Sequence, residues 1–83
     1  MKYTIIIEKR AMKFITSQSK TRQLQLLSAI QKLPNMGDIT PLQGRIKSYR
    51  LRVGDYRILY TKDDMVLKIT VVDAGNRGDI YKS

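Results

Sequence analysis

The chain contains no cysteine and no histidine, and only two prolines interrupt its 83 residues. Without cysteine, neither a disulfide framework nor a thiolate metal site can supply stability. Without histidine, the usual zinc ligand and the usual general base at neutral pH are both missing. His-dependent triads and zinc hydrolase chemistry are thereby excluded, and no metal or cofactor is expected. Long apolar runs are also lacking: Ile5-Ile6-Ile7 is closed by Glu8, too short for a signal-peptide core or a membrane span. The C-terminal Asp79-Ile80-Tyr81-Lys82-Ser83 carries no cysteine for lipidation. A soluble, cytoplasmic chain with no membrane partner is the expectation.

Acids are scarce as well. Sixteen Lys or Arg stand against seven Asp or Glu, giving a formal net charge of +9. The hydrophobic share of 42% is that of a globular chain, and the length fits a single domain over residues 1–83. A compact basic domain with this charge excess calls for a polyanionic partner.

Residues 2–8 are rich in Thr and Ile and predict a first strand. Helical spacing starts at Lys9, with Ala11, Phe14 and Ile15 on one side, and Ser19 or Thr21 is placed to cap a second helix. In that helix Leu24, Leu27, Ile30 and Leu33 recur at three-residue steps, flanked by Leu26, until Pro34 stops it. Residues 35–45, with Gly37, Asp38, Pro41 and Gly44, predict a loop. Tyr49–Val53 and Tyr56–Thr61 then flank Gly54-Asp55, a two-residue connection suited to a tight hairpin. Lys62-Asp63-Asp64 marks a second turn. Met65–Val72, apolar on both faces, predicts a last strand that is central or well covered. The expected fold is α+β: an N-terminal strand, a helical hairpin, then a three-strand antiparallel meander (β-α-α-β-β-β). The helices pack on one face of the sheet, and no C-terminal helix follows.

Residues 45–57 hold five basic side chains (Arg45, Lys47, Arg50, Arg52 and Arg57) and one acid. With Gly54-Asp55 as the loop, Arg52 faces Arg57 and Leu51 faces Ile58. Side chains alternate along strands, so Tyr49, Leu51, Val53, Tyr56, Ile58 and Tyr60 share an apolar face that packs on the helices. Arg50, Arg52 and Arg57 project from the other face beside Leu59, with no acid expected there. Such a face suits a solvated surface, or a phosphate held by guanidinium forks. A cluster of this kind stabilises the charge that grows on a phosphodiester under attack. Arginine is always protonated, so the electrophilic half of a site is more evident than a base. After the last strand, Gly75 and Gly78 bracket Arg77 on a short loop, and Tyr81 is suited to stack on a base, to move a proton, or to anchor the tail.

Taken together, the string Tyr49-Arg50-Leu51-Arg52-Val53-Gly54-Asp55-Tyr56-Arg57-Ile58-Leu59-Tyr60, then Val71-Val72-Asp73-Ala74-Gly75-Asn76-Arg77 and the closing Ile80-Tyr81, resembles the RelE/ParE toxin superfamily. The resemblance spans nearly the whole chain, including the Leu42-Gln43-Gly44 step before the sheet.

What the resemblance implies is the toxin of a type II toxin–antitoxin pair: a metal-independent, ribosome-dependent endoribonuclease that cuts mRNA in the A site. In RelE-like members the ribose 2′-hydroxyl attacks the adjacent phosphorus, leaving a 2′,3′-cyclic phosphate and a 5′-hydroxyl. By position Arg50 and Arg52 match two basic strand residues that are lysines in the best-known pattern. Arg57 matches the arginine of the Tyr-Arg step, Arg77 the later loop arginine, and Tyr81 the C-terminal tyrosine. Arg45, Lys47, Lys68 and Lys82 are the expected contacts to RNA or ribosome. Arginine at 50 and 52 is a poor base, which leaves proton transfer to a Tyr81 phenolate or to the ribosome. The implied partners are an acidic antitoxin encoded alongside, mRNA and the ribosome, and operator DNA only through the antitoxin complex. Two other functions fit the same pattern: a ParE-like, non-catalytic inhibitor of DNA gyrase, and an RNA-binding member without activity.

Overall fold

The structure is a computed structural model that describes residues 2–42 and 47–76. Strand β1 (Thr4–Ile7) leads into helices α1 (Lys9–Thr16) and α2 (Lys20–Gln31), followed by β2 (Asp38–Leu42), β3 (Ser48–Val53), β4 (Tyr56–Asp63) and β5 (Lys68–Asn76). The five strands form one sheet in the order β1-β5-β4-β3-β2. Strands β2 to β5 make an antiparallel meander, and β1 joins the edge of β5 in parallel. The expected α+β fold with both helices on one face is therefore present, enlarged by one strand.

That extra strand is β2, which covers part of the stretch 35–45 expected to be a loop. Ile39 and Thr40 are β-branched and favour extended backbone, and Ile39 packs inward against the core while Asp38 and Pro41 are exposed. Pro41 argues against an interior strand, yet β2 lies at the sheet edge, where a missing amide breaks no ladder. Gly37 sets the entry to β2. Its φ is +123°, and a β-carbon there would lie 2.6 Å from Leu51 Cδ1, so a side chain would meet both backbone strain and a clash.

Two other boundaries move. The last strand starts at Lys68 rather than Met65, because Asp63 accepts amides from Met65 and Val66 and closes the turn, leaving both side chains exposed. That strand runs on to Asn76, so Ala74 and Gly75 belong to the sheet. In α2 the buried stripe is Leu26 and Ile30, with Leu33 beyond the helix end, and Leu24 is 61% exposed. Steps of four and three keep a stripe in line with a 3.6-residue turn, whereas repeated steps of three drift around the helix.

Of Ser19 and Thr21, Ser19 is the cap of α2, its Oγ accepting the Arg22 amide at 3.3 Å. The core under the helices comprises Ala11, Ile15, Leu26, Ile30 and Leu33 against Leu51, Tyr56, Ile58, Tyr60, Ile69, Val71 and Ala74. Strand β4 is the middle strand and the most continuously buried. A β-bulge between Leu59 and Tyr60 and the facing segment of β5 keeps both flanking stretches in phase with the core.

Tyr60 is 1% exposed and stacks on Tyr49 at 5.3 Å, and burial pushes its phenol from 10.0 up to about 12. A pKa raised in the folded state gives stability that is complete below the unfolded value and lost as pH rises toward the folded one. Urea unfolding should thus show stability falling between about pH 10 and pH 12. In Tyr60→Phe this alkaline limb should flatten, and an unchanged limb would assign the transition to another group.

Candidate functional site

The β3–β4 hairpin has the anticipated register. Val53 pairs with Tyr56, Arg52 with Arg57, Leu51 with Ile58 and Arg50 with Leu59. Gly54 takes φ +59°, the positive value that a two-residue turn with glycine first requires. Neighbouring strands extend the pairs into two rows on the face away from the helices. The first row is Asp38, Arg52, Arg57 and Gly75, and the second is Thr40, Arg50, Leu59 and Asp73. Adjacent strands lie about 4.8 Å apart and rows about 6.8 Å, so the Cα atoms of the three arginines lie within about 9 Å of one another, a span that their side chains can close around a phosphodiester.

The repulsion between Arg52 and Arg57 amounts to at most ~1 kcal/mol. One residue along, Leu51 and Ile58 are 1% and 0% exposed, and each fully buried aliphatic side chain contributes about 1.5–3 kcal/mol. Core packing therefore decides the register, and the arginines are brought together as its consequence.

The three differ in environment. Arg57, on the central strand opposite Gly75, is only 9% exposed, and its one hydrogen bond among the described residues goes from Nη1 to the Tyr56 carbonyl at 3.2 Å. Arg50 is half-buried. Arg52 is exposed and lies 4.0 Å from an Asp38 carboxylate oxygen, with both side chains more than half accessible. Such a surface pair is worth about 0–1 kcal/mol, so it leaves Arg52 able to turn to a phosphate.

Asp38 corrects the expectation that no acid lies on the arginine face. A loop over 35–45 gives Asp38 no face, whereas the alternation Asp38-Ile39-Thr40 of an edge strand puts it beside Arg52. Asp73 is a second acid in the same rows, half-buried, accepting the Ala74 amide at 2.9 Å and lying 4.0 Å from Arg10. Asp38 is thus the carboxylate beside the arginines.

Lys47 and Lys68 stand elsewhere. Lys68 opens β5, seven residues from Gly75 and about 20 Å along the strand from the Arg57 row. Lys47 is 3.7 Å from Asp64, a carboxylate that also accepts a hydrogen bond from the Tyr3 hydroxyl and lies 3.9 Å from Lys62. The Tyr3 hydrogen bond, with help from Lys62 and Lys47, holds the Asp64 carboxyl below its usual range and raises the Tyr3 phenol. This cluster ties the start of β1 to the β4–β5 turn, away from the arginine rows. Arg45, Arg77, Tyr81 and Lys82 lie outside the described residues. Among the described residues no cluster of His, Cys, Asp or Glu is suited to a metal ion, and no helix is long and apolar enough to cross a membrane.

Among the described residues Arg57 has no carboxylate partner; a desolvated guanidinium so placed weakens a fold, and an apolar side chain of similar length removes that penalty. Arg57→Met should therefore melt at or above the wild-type temperature. Inorganic polyphosphate should raise the melting temperature of the wild type by more than that of the variant. A variant that melts several degrees lower would make Arg57 a structural residue.

A family model for the ParE toxin of the type II toxin–antitoxin system parDE matches residues 5–81. Among solved structures, the chain is similar to a chain of the archaeal RelE–RelB complex from Pyrococcus horikoshii OT3, with TM-score 0.79 and 26% identity over 95% of this chain and 99% of that one. It also resembles a chain of the toxin–antitoxin complex RelBE2 from Mycobacterium tuberculosis, with TM-score 0.76 and 18% identity over 93% and 100% of the two chains. For the isolated E. coli RelE toxin the values are TM-score 0.70 and 23% identity over 95% and 90%; at these identities the last two likenesses concern the fold. No curated protein sequence matches. With a family match over nearly its full length and the same fold in RelE structures, the chain belongs to the RelE/ParE superfamily and is a toxin of a type II toxin–antitoxin system.

Proposed function

We propose that this toxin is a metal-independent endoribonuclease that cuts mRNA on the ribosome, with the scissile phosphodiester lying over the row Asp38, Arg52 and Arg57. The observation that carries this reading is the close set of Arg50, Arg52 and Arg57 on one open sheet face with a carboxylate beside them. The 2′-hydroxyl gives its proton to Asp38 as its oxygen bonds to phosphorus. The bond from phosphorus to the 5′-oxygen breaks, and that oxygen takes a proton from Tyr81 or from solvent. The products are a 2′,3′-cyclic phosphate and a 5′-hydroxyl. Arg57 and Arg52 stabilise the charge on the non-bridging oxygens, and Arg50 and Arg77 hold the flanking phosphate. Partial desolvation of Arg57 strengthens its pull on that charge relative to a fully solvated arginine.

The cytoplasm, where ribosomes are met, is the proposed location, and a cognate antitoxin encoded next to the toxin is the proposed partner. Support for the partner comes from the RelE–RelB and RelBE2 complexes among the similar structures. Operator DNA is met only through that complex, and Arg45 and Lys82 are proposed to contact ribosomal RNA with Lys47 and Lys68.

A second reading has its own support, since the matching family model is that of the ParE toxin. A ParE-like toxin inhibits DNA gyrase without catalysis, in which case the arginine rows form a binding surface.

Primer extension on mRNA after induction tests both. Wild-type toxin should give new 5′ ends near codon boundaries, with upstream fragments carrying cyclic phosphate. Removing one charge-stabilising group from such a site lowers the rate by roughly 10²–10³-fold, which is the expected effect of Arg57→Ala. Asp38→Asn and Arg77→Ala should lose most cleavage while melting normally. Intact mRNA together with induction of DNA-damage signalling would replace this reading with the gyrase-directed one.

A further inference from the structure

The second row of the arginine face holds side chains that phosphate binding does not call for. Leu59 lies in it between Arg50 and Asp73, half-buried, on a face that no helix covers among the described residues. The β-bulge brings Val72, also half-buried, beside it. Asp73 pairs with Leu59 and Val71 pairs with Tyr60, so Val72 is the residue left over between them. Val71 and Ala74 point into the core under the helices, which turns the two residues between them, Val72 and Asp73, toward the arginine face. The result is a small aliphatic platform with a carboxylate at its border. Asp73 is held in place there: its Oδ1 accepts the Ala74 amide at 2.9 Å, its Oδ2 lies 4.0 Å from Arg10, and its side chain is 28% exposed. A carboxylate repels a phosphate, and aliphatic side chains add nothing to its binding. Together they suit the other part of a nucleotide, a base with apolar faces and a hydrogen-bonding edge.

We propose that Leu59, Val72 and Asp73 form a nucleobase subsite in which Asp73 reads an exocyclic amino group. The inference rests on the RNA-cleavage reading and adds the residue that sets its sequence preference. An ionised carboxylate only accepts hydrogen bonds. Adenine, cytosine and guanine each offer it an amino donor on the pairing edge, whereas uracil sets carbonyl oxygens on both sides of its one N–H. Asp73 therefore selects an amino-bearing base against uracil, while Leu59 and Val72 lie under the ring as apolar side chains do in base pockets. Sheet order also decides which base is read. Asp38 stands at the β2 end of the first row and Gly75 at its β5 end. With the 2′-hydroxyl attacking from the Asp38 side, in-line displacement puts the leaving 5′-oxygen on the β5 side. The second row is about 6.8 Å from the first, so the base of the nucleotide 3′ to the cut reaches Asp73. A purely structural role, tying α1 to β5 through Arg10, accounts for less. The Arg10 side chain is 78% exposed, and pairs of that kind contribute little.

Two pentaribonucleotides, 2′-O-methylated throughout, test the subsite by calorimetric titration at one fixed salt concentration. One is uridine throughout, and the other has cytidine at its centre, which adds an amino group to a ring of the same size. Wild type should bind the cytidine strand about tenfold more tightly. Asp73→Asn keeps an acceptor for the Ala74 amide and gains a donor that a uracil carbonyl can use, so it should bind the two strands within about twofold of each other. A role confined to the fold would lower the melting temperature and leave the ratio of affinities unchanged. In induced cells, primer extension should find uracil depleted as the first base of downstream fragments for wild type but not for Asp73→Asn. The inference is overturned if wild type binds both strands within about twofold, if Asp73→Asn keeps the preference, or if uracil is depleted on the upstream side of the cut instead. A wild type that prefers the cytidine strand but leaves mRNA intact would overturn the cleavage reading and leave the base subsite standing. If neither strand binds, both are overturned.

Discussion

The pairing register of β3 with β4 is the constraint on which the rest of this molecule depends. Leu51 and Ile58 are both fully buried and directly opposite each other, and a one-residue slip would turn the core-facing side chains of the slipped strand to the other face. The same alternation leaves Arg50, Arg52 and Arg57 no choice but to converge on the far side of the sheet. The like-charge apposition is small against the burial that imposes it, so the fold can hold a concentrated positive surface without a dedicated scaffold. Sheet order adds the second refinement. Because β4 is the middle strand, Arg57 is flanked by β3 and β5 and loses solvent, while Arg52 and Asp38, nearer the β2 edge, keep theirs. One register thus produces an arginine of low exposure beside an arginine and a carboxylate of high exposure, a gradient suited to holding charge at one point and moving a proton at another.

The two faces of the sheet divide the labour. One is covered by α1 and α2 and carries all of the described aromatic rings: Phe14 edge-on to Tyr56, Tyr49 stacked on Tyr60, and Tyr3 tied to Asp64. Gln18 joins the faces of the helical hairpin to the sheet, accepting the Tyr56 hydroxyl at 3.1 Å. The other face carries the arginine rows and, among the described residues, no helix.

Much of this was legible in the residues because period-two alternation and a glycine-led two-residue turn are strong local signals. Gly54-Asp55 with Val53 and Tyr56 on either side fixed the hairpin, and Ser19 followed by a leucine-rich stretch fixed α2. What escaped detection did so for identifiable reasons. Pro41 disguised an edge strand, and with it the placement of Asp38 beside Arg52, since only the sheet order reveals that an edge tolerates a missing amide. The Asp63 turn was longer than its charged residues suggested, because Met65 and Val66 look like strand residues yet are held out by bonds to the Asp63 carboxylate. The burial of Arg57 could not be read from alternation alone, which separates faces but not central from peripheral strands. The superfamily came from the combined hairpin and C-terminal pattern, whereas the chemistry depends on few residues that superfamily members exchange.

The most direct measurement of the central claim is a 1H–15N spectrum of the toxin titrated with a short oligoribonucleotide whose reactive 2′-hydroxyl is methylated to prevent cleavage. The account predicts that amide shifts gather on Asp38, Arg50, Arg52, Arg57 and Gly75, with Ser28, Lys32 and Met36 unmoved. Shifts centred on α2 and the segment after it, with the arginine rows silent, would contradict it.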